Sequence, residues 1–229
     1  MQRPGMFKRF ALPVLIAGLA AAAAVSPAMS QKTGSVTTSY DSSDENRPSL
    51  LAGPTRHEWQ RPDRIIRLLA IREGEQVADL GAGRGYFSDV FTGMVGTSGK
   101  VYAVEMDPEL AEYLETHYAT YGNAVAIRGT ETDPGLPSHA LDLVLTVNTW
   151  HRIGNRIPMR EAVQRALKPG GRFVVVDWHQ GEIAIAPTVD RRLPREELIE
   201  EMIADGWTVT TDSRMLKYQY FLIFTPPAP

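Results

Sequence analysis

Residues Val77 to Ser88 read Val-Ala-Asp-Leu-Gly-Ala-Gly-Arg-Gly-Tyr-Phe-Ser. A short strand of mostly apolar residues runs into a glycine-rich turn, and a helix pattern begins at Tyr86. Gly81, Gly83 and Gly85 let the backbone turn tightly and approach a ligand closely, because a Cβ there would clash or forbid the dihedrals. Strand, tight turn and helix in that order commit the segment to an α/β unit with a parallel sheet. A turn of this kind puts N–H groups at the carboxyl end of the strand, where open α/β sheets bind nucleotides.

Lys100 to Glu105 reads as the next strand and ends in a carboxylate twenty residues after Gly85. An acid at that tip can accept hydrogen bonds from both hydroxyls of a ribose. Asp107 and Pro108 then open a helix as N-cap and first helical residue. The alternation continues along the chain. A helix is expected over His57 to Ile71, strands over 76–80, 124–128, 141–147 and 172–177, and helices over 86–95, 108–121, 156–167 and 194–204. Leu141 to Val147 is almost continuously apolar, as a strand covered on both faces should be. The last two strands, 207–211 and 218–224, are joined by only six residues, which fits a hairpin, since a parallel return needs about a dozen. The pattern predicts a doubly wound, mostly parallel sheet of seven strands with the last one antiparallel.

Dinucleotide-binding dehydrogenases carry G-x-G-x-x-G. Here the third glycine comes one residue early and Tyr86 occupies its place. The Asp79-Leu80-Gly81-Ala82-Gly83-Arg84-Gly85 run resembles instead the first motif of class I S-adenosylmethionine (SAM) methyltransferases. Leu167-Lys168-Pro169-Gly170-Gly171-Arg172, about 85 residues on, is also similar to that family. The resemblance covers roughly residues 57–225 and is strongest to the ubiquinone/menaquinone-biosynthesis, small-molecule type. It implies SAM as cofactor, with Gly81, Ala82, Gly83 and Gly85 beside its methionine part and Asp79 reaching its amino group. An equally local role for Asp79, fixing the N–H groups of its own loop, stays open. Glu105 would bind the ribose, Thr130 and Glu131 would lie near the adenine, and Asn148 beside the sulfonium. The segment 57–62 would cover the cofactor and help to choose the acceptor.

Methyl transfer from a sulfonium asks little of the protein beyond positioning, and a base only where the acceptor must lose a proton. His151, just past the fourth strand, is the candidate base, because a neutral imidazole suits that task near pH 7. Asp177 and His179 fall at the cleft rim. Trp150, Trp178 and Tyr86 are either acceptor-pocket walls or core packing. His57, His117 and His139 read as surface residues. Asn148-Thr149-Trp150-His151 lacks the prolines of the nucleic-acid amino-methylating Asn-Pro-Pro-Tyr motif, and Asn148 with Asp177-Trp178 does not match a Mg²⁺-dependent catechol site. Neither a nucleic acid nor a metal is therefore expected.

The chain has 229 residues, 24 basic and 27 acidic, and no long basic run, which also argues against a nucleic-acid partner. It has no Cys. Residues 1–30 combine a basic start, an apolar run over Phe10 to Val25, and small residues before Gln31, the pattern of a cleaved signal peptide. The Lys8-Arg9-Phe10 triplet is a faint echo of a twin-arginine signal. Residues 31–54 are polar and read as a linker. The domain is thus expected over 55–229, in an exported, periplasmic protein that does not stay in the membrane after cleavage. The leading expectation is a SAM-dependent methyltransferase acting on a small organic acceptor. The alternatives are an exported SAM-binding protein without transfer activity and an NAD-dependent oxidoreductase.

Overall fold

The computed structural model describes residues 55–228. The expected signal peptide (1–30) and linker (31–54) lie outside the described residues. The elements are α1 (Arg56–Trp59), α2 (Pro62–Leu69), β1 (Gln76–Leu80), α3 (Tyr86–Val95), β2 (Lys100–Glu105), α4 (Pro108–Tyr118), β3 (Ala124–Arg128) and β4 (Leu141–Val147). A 3₁₀ turn at Trp150–Arg152 follows, then α5 (Arg156–Ala166), β5 (Leu167–Trp178), α6 (Arg195–Ala204), β6 (Thr208–Ser213) and β7 (Gln219–Thr225). Among the described residues no helix is long and apolar enough to cross a membrane.

The seven strands form one sheet in the order β3-β2-β1-β4-β5-β7-β6. β7 is antiparallel to both of its neighbours, and every other pairing is parallel. The expected architecture is therefore the one observed. Its order reverses between β1 and β4, which opens a crevice at the carboxyl ends of those strands. Side chains alternate between two cores. Val104, Val144, Phe173, Val175 and Leu222 face α5 and α6, whereas Val101, Leu143, Leu145, Val174 and Phe221 face α2, α3 and α4.

Two differences from the sequence expectation bear on the site, beside shifts of one to three residues at other element ends. The single helix over 57–71 is two, because Pro62 crowds the residue before it out of the right-handed helical region. Arg61 adopts φ 54°, ψ 56°, and Pro62 starts α2 afresh at its first position. β5 begins five residues earlier than expected, since Leu167 already pairs with Leu141 before a bulge. The Lys168-Pro169-Gly170-Gly171 turn thus lies at the amino edge of the sheet, where Lys168 Nζ meets Asp142 Oδ2 at 2.7 Å. It shapes the entry into β5 and is remote from the crevice.

Candidate active site

The glycine turn is tied down from within. The N–H groups of Gly81 and Ala82 both donate to the Val104 carbonyl (2.9 and 3.0 Å), and that of Gly85 to the Ala82 carbonyl at 2.9 Å. Gly83 N–H donates to Glu105 Oε2 at 2.8 Å. Gly81 has φ 80°, and a Cβ on it would lie inside the Thr149 side chain. The turn after β1 and the tip of β4 are therefore in direct contact, and only glycine allows it. β2 takes the N–H groups of Gly81, Ala82 and Gly83, and those of Arg84, Tyr86 and Phe87 have no hydrogen-bond acceptor among the described residues.

Asp79 closes the turn from the other side. Its Oδ2 accepts from Ser88 N (3.1 Å) and Ser88 Oγ (2.8 Å), in the first turn of α3. A carboxylate thus already stands at the helix end where a dinucleotide would place its pyrophosphate. That resident negative charge disfavours a phosphate ligand and favours a cationic one. Burial pushes the Asp79 carboxyl up to about 6, opposed by the Ser88 hydroxyl bond and by the Arg56 charge. The loop-fixing role that the sequence left open is what Oδ2 does, and Oδ1 makes no hydrogen bond among the described residues.

At the tip of β2, Glu105 is 4 % exposed. Besides Gly83 it takes Met106 N–H at 2.7 Å and Asp107 N–H at 3.1 Å on Oε1. Three donors leave a carboxylate about one further acceptor position. Asp107 caps α4 as expected, through Glu109 and Leu110 N–H. Gly129 N–H donates to the Glu105 carbonyl at 3.0 Å, which sets the 129–135 loop beside Glu105. Thr130 Oγ1 is engaged in that loop, accepting from Asp133 N–H at 3.0 Å, and Glu131 is exposed.

Across the crevice, Asn148 follows β4 with φ 55°. Its N–H donates to the Val176 carbonyl at 2.9 Å. Its Oδ1 accepts from Gln219 Nε2 at 2.6 Å, an amide wholly buried at the start of β7. His151 Nδ1 meets Asp177 Oδ1 at 2.7 Å, and His151 N–H donates to Asp177 Oδ2 at 3.0 Å. Both side chains are almost fully buried. Asp177 is therefore beneath His151 and not at a rim. No hydrogen bond occupies His151 Nε2 among the described residues. The sequence spacing of 26 residues gave no sign of this pair, because it depends on the register of β4 against β5.

The N-terminal segment lies over the same edge. The Arg56 guanidinium is 4.1 Å from the Tyr86 ring centroid, Trp59 stacks on Trp178 at 5.2 Å, and Arg64 Nη1 donates to the Met215 carbonyl at 2.9 Å. Trp178 is thus buried under Trp59 and Tyr86 partly buried under Arg56, whereas Trp150 is core, edge-on to Phe173. His57 and His139 are exposed as expected. His117 is not: it is half-buried among Tyr113, Tyr118 and Tyr121, with Nε2 2.8 Å from Asp89. Sequence reasoning also missed Arg192, whose buried guanidinium donates to the carbonyls of Pro187, His179 and Gly181 and pins the loop after β5. No residue-spacing signal marks it.

Residues 78–175 match the model of a family described as a methyltransferase domain. By that match these residues carry a methyltransferase domain. The protein-L-isoaspartate O-methyltransferase of Aeropyrum pernix is 37% identical over 118 residues, covering 49% of this chain and 42% of that one. The ubiquinone/menaquinone biosynthesis C-methyltransferase of Cellvibrio japonicus is 26% identical over 147 residues, 63% of this chain and 57% of that one. The chain thus spans about half the length of such curated relatives. A SAM-dependent methyltransferase from Aquifex aeolicus shares the fold at TM-score 0.71 and 24% identity, over 80% of this chain and 96% of that one. The buried acid, the phosphate-unfriendly turn and the free acceptor position on Glu105 fit SAM, a ligand with a sulfonium, an ammonium and a ribose.

Asp79 gives the methyltransferase domain a pH signature. A carboxyl raised from 3.8 to about 6 by folding stabilises the fold fully below pH 3.8, and that contribution is lost as pH rises through about 6. At roughly 1.4 kcal/mol per unit, the wild type should lose on the order of 3 kcal/mol relative to Asp79→Asn between pH 3.5 and 7.5. Chemical denaturation at stepped pH checks this, and parallel profiles for the two proteins would refute it.

Proposed function

We propose that this chain transfers the methyl group of SAM to a small organic acceptor that loses a proton in the reaction. The observation that carries the reading is the His151–Asp177 pair at the tips of β4 and β5. When bound, SAM supplies an electrophilic methyl group on a good leaving group. Asp79 Oδ1 takes the ammonium, and Glu105 takes a ribose hydroxyl at its remaining acceptor position. Thr130 and Glu131, on the loop beside Glu105, border the adenine, and Asn148 lies beside the sulfonium. Asp177 accepts the Nδ1 proton of His151 and so fixes the tautomer whose Nε2 carries a lone pair. Nε2 then removes the proton from a hydroxyl, thiol or amine of the acceptor.

Calorimetric titration of the purified chain should give saturable SAM binding, weakened by roughly 1–3 kcal/mol in Glu105→Ala, as for a lost buried polar contact. NAD should not compete. Competition by NAD, or no SAM binding at millimolar concentration, would sink the reading.

Methyl-labelled SAM offered with the small-molecule fraction of a cell extract tests the base. His151→Gln should lower incorporation about 10²–10⁴-fold with SAM affinity held within about twofold. An equal fall in SAM affinity would reduce His151 to a packing residue.

We also propose that the enzyme works in the periplasm, on the basic and apolar pattern of residues 1–30. N-terminal sequencing of the protein from periplasmic extract should begin at or near Gln31. A cytoplasmic chain that retains Met1 would exclude this.

A further inference from the structure

A cleft of about 520 Å³ opens at the same carboxyl edge of the sheet, between the start of α6, the β6–β7 loop and the end of β5. That volume suits a metabolite-sized group. Its wall is joined to the site above. Tyr220, which lines the cleft, is the register partner of Asp177 across β5 and β7. His179, two residues beyond Asp177 and on the same face, lines it as well.

The charges of this cleft do not cancel. Arg195 is matched by Asp212 and Glu196, both of which also line the cleft. Arg214 and Lys217 form no salt bridge among the described residues, although the Arg214 charge acts on Glu196, and Lys217 Nζ rests 4.8 Å from the Tyr218 ring centroid. Behind His179, the Arg192 guanidinium donates only to carbonyls, so its charge is also uncompensated. His179 registers the resulting field. Burial first, and then the Arg195 and Arg214 charges, hold its imidazole below the usual range, against a hydrogen bond to the Leu216 backbone and the Glu196 charge. The His179 ring is hydrogen-bonded to the Leu216 backbone and the Tyr220 hydroxyl donates to the Leu193 carbonyl at 3.3 Å, so Arg214 and Lys217 are the groups of this cleft left to take an oxyanion.

We propose that this cleft holds an oxyanion group of the methyl acceptor, a carboxylate or a phosphate, through Arg214 and Lys217, while the acceptor's protic group lies at His151. The assignment rests on the methyl-transfer reading above. It restricts the acceptor from any small organic molecule to an anionic one with its charge set apart from the reacting atom.

Titration of the ¹⁵N-labelled chain with benzoate, phenyl phosphate and benzamide at constant ionic strength tests this by NMR. Saturable shifts of the His179, Lys217 and Tyr220 amides are expected with one or both anions and not with benzamide, and the stronger anion identifies the group. The Arg214→Ala/Lys217→Ala double variant should bind the anions at least tenfold more weakly, and Lys217→Arg should retain them. The double variant should keep SAM affinity within twofold, yet lose tenfold or more of methyl incorporation at limiting extract. Shifts by benzamide equal to those by the anions, no shifts with either anion, or unchanged binding in the double variant would overturn the site while leaving the methyl-transfer reading intact. Anion binding without SAM binding in the wild type would overturn the assignment to an acceptor and the reading beneath it together.

Discussion

A carboxylate buried in a crevice raises the free energy of a fold unless donors reach it, and among the described residues the hydrogen bonds to Asp79 come from Ser88 alone. The rest of the site follows from this contact. It anchors the start of α3 to the end of β1, so the intervening turn must close in five residues. The turn can do so because its glycines give their N–H groups to Val104 and Glu105 and bring their backbone against Thr149. Two acids are thereby fixed on either side of one small crevice, where they cannot be satisfied by the turn alone. The ligand that completes such a site carries positive charge and hydroxyls. A pyrophosphate would meet the negative charge of Asp79.

On the far side of the crevice the constraint is sheet register. Asp177 lies under His151 because β4 and β5 are parallel and offset so that Val147 faces Val176. Moving β5 by one residue would turn Asp177 to the opposite face, since side chains alternate along a strand. The antiparallel β7 matters for the same reason. Its reversal puts Gln219 and Tyr220 at the carboxyl edge, where they meet Asn148 and Asp177. A parallel strand in that place would bring the other end of β7 to the site. The hairpin is thus part of the acceptor side and not merely a sheet edge.

The cover over the crevice is built from contacts weaker than the frame beneath it. Arg56 on Tyr86, Trp59 on Trp178 and Arg64 on the Met215 carbonyl join α1 and α2 to three different elements. Ile65 and Leu69 hold α2 in the core, whereas α1 is four residues long and buries none of them. The break at Arg61 and Pro62 separates an anchored helix from a lightly held one. That arrangement suits a segment that must admit both a cofactor and an acceptor.

Much of this was legible in the chain before any coordinates. The strand–glycine turn–helix at 76–95, the acid ending β2, and the six-residue link before the last strand specify the sheet, its crevice and its reversed strand. They do so because local turn chemistry and hydrophobic period act over a few residues. Asp79 and Glu105 could be picked out by position for the same reason. The sequence did not disclose that the turn would spend its own N–H groups, that Asp177 would pair with His151, or that Gln219, Arg192 and the cations of the β6–β7 loop would gather at one edge. Those depend on which strands become neighbours and in which register, and that is decided by burial of two whole core faces at once. Composition, spacing and turn residues determined the fold and the cofactor side, whereas only tertiary packing decided the acceptor side, because its residues are brought together from elements 26 to 71 positions apart.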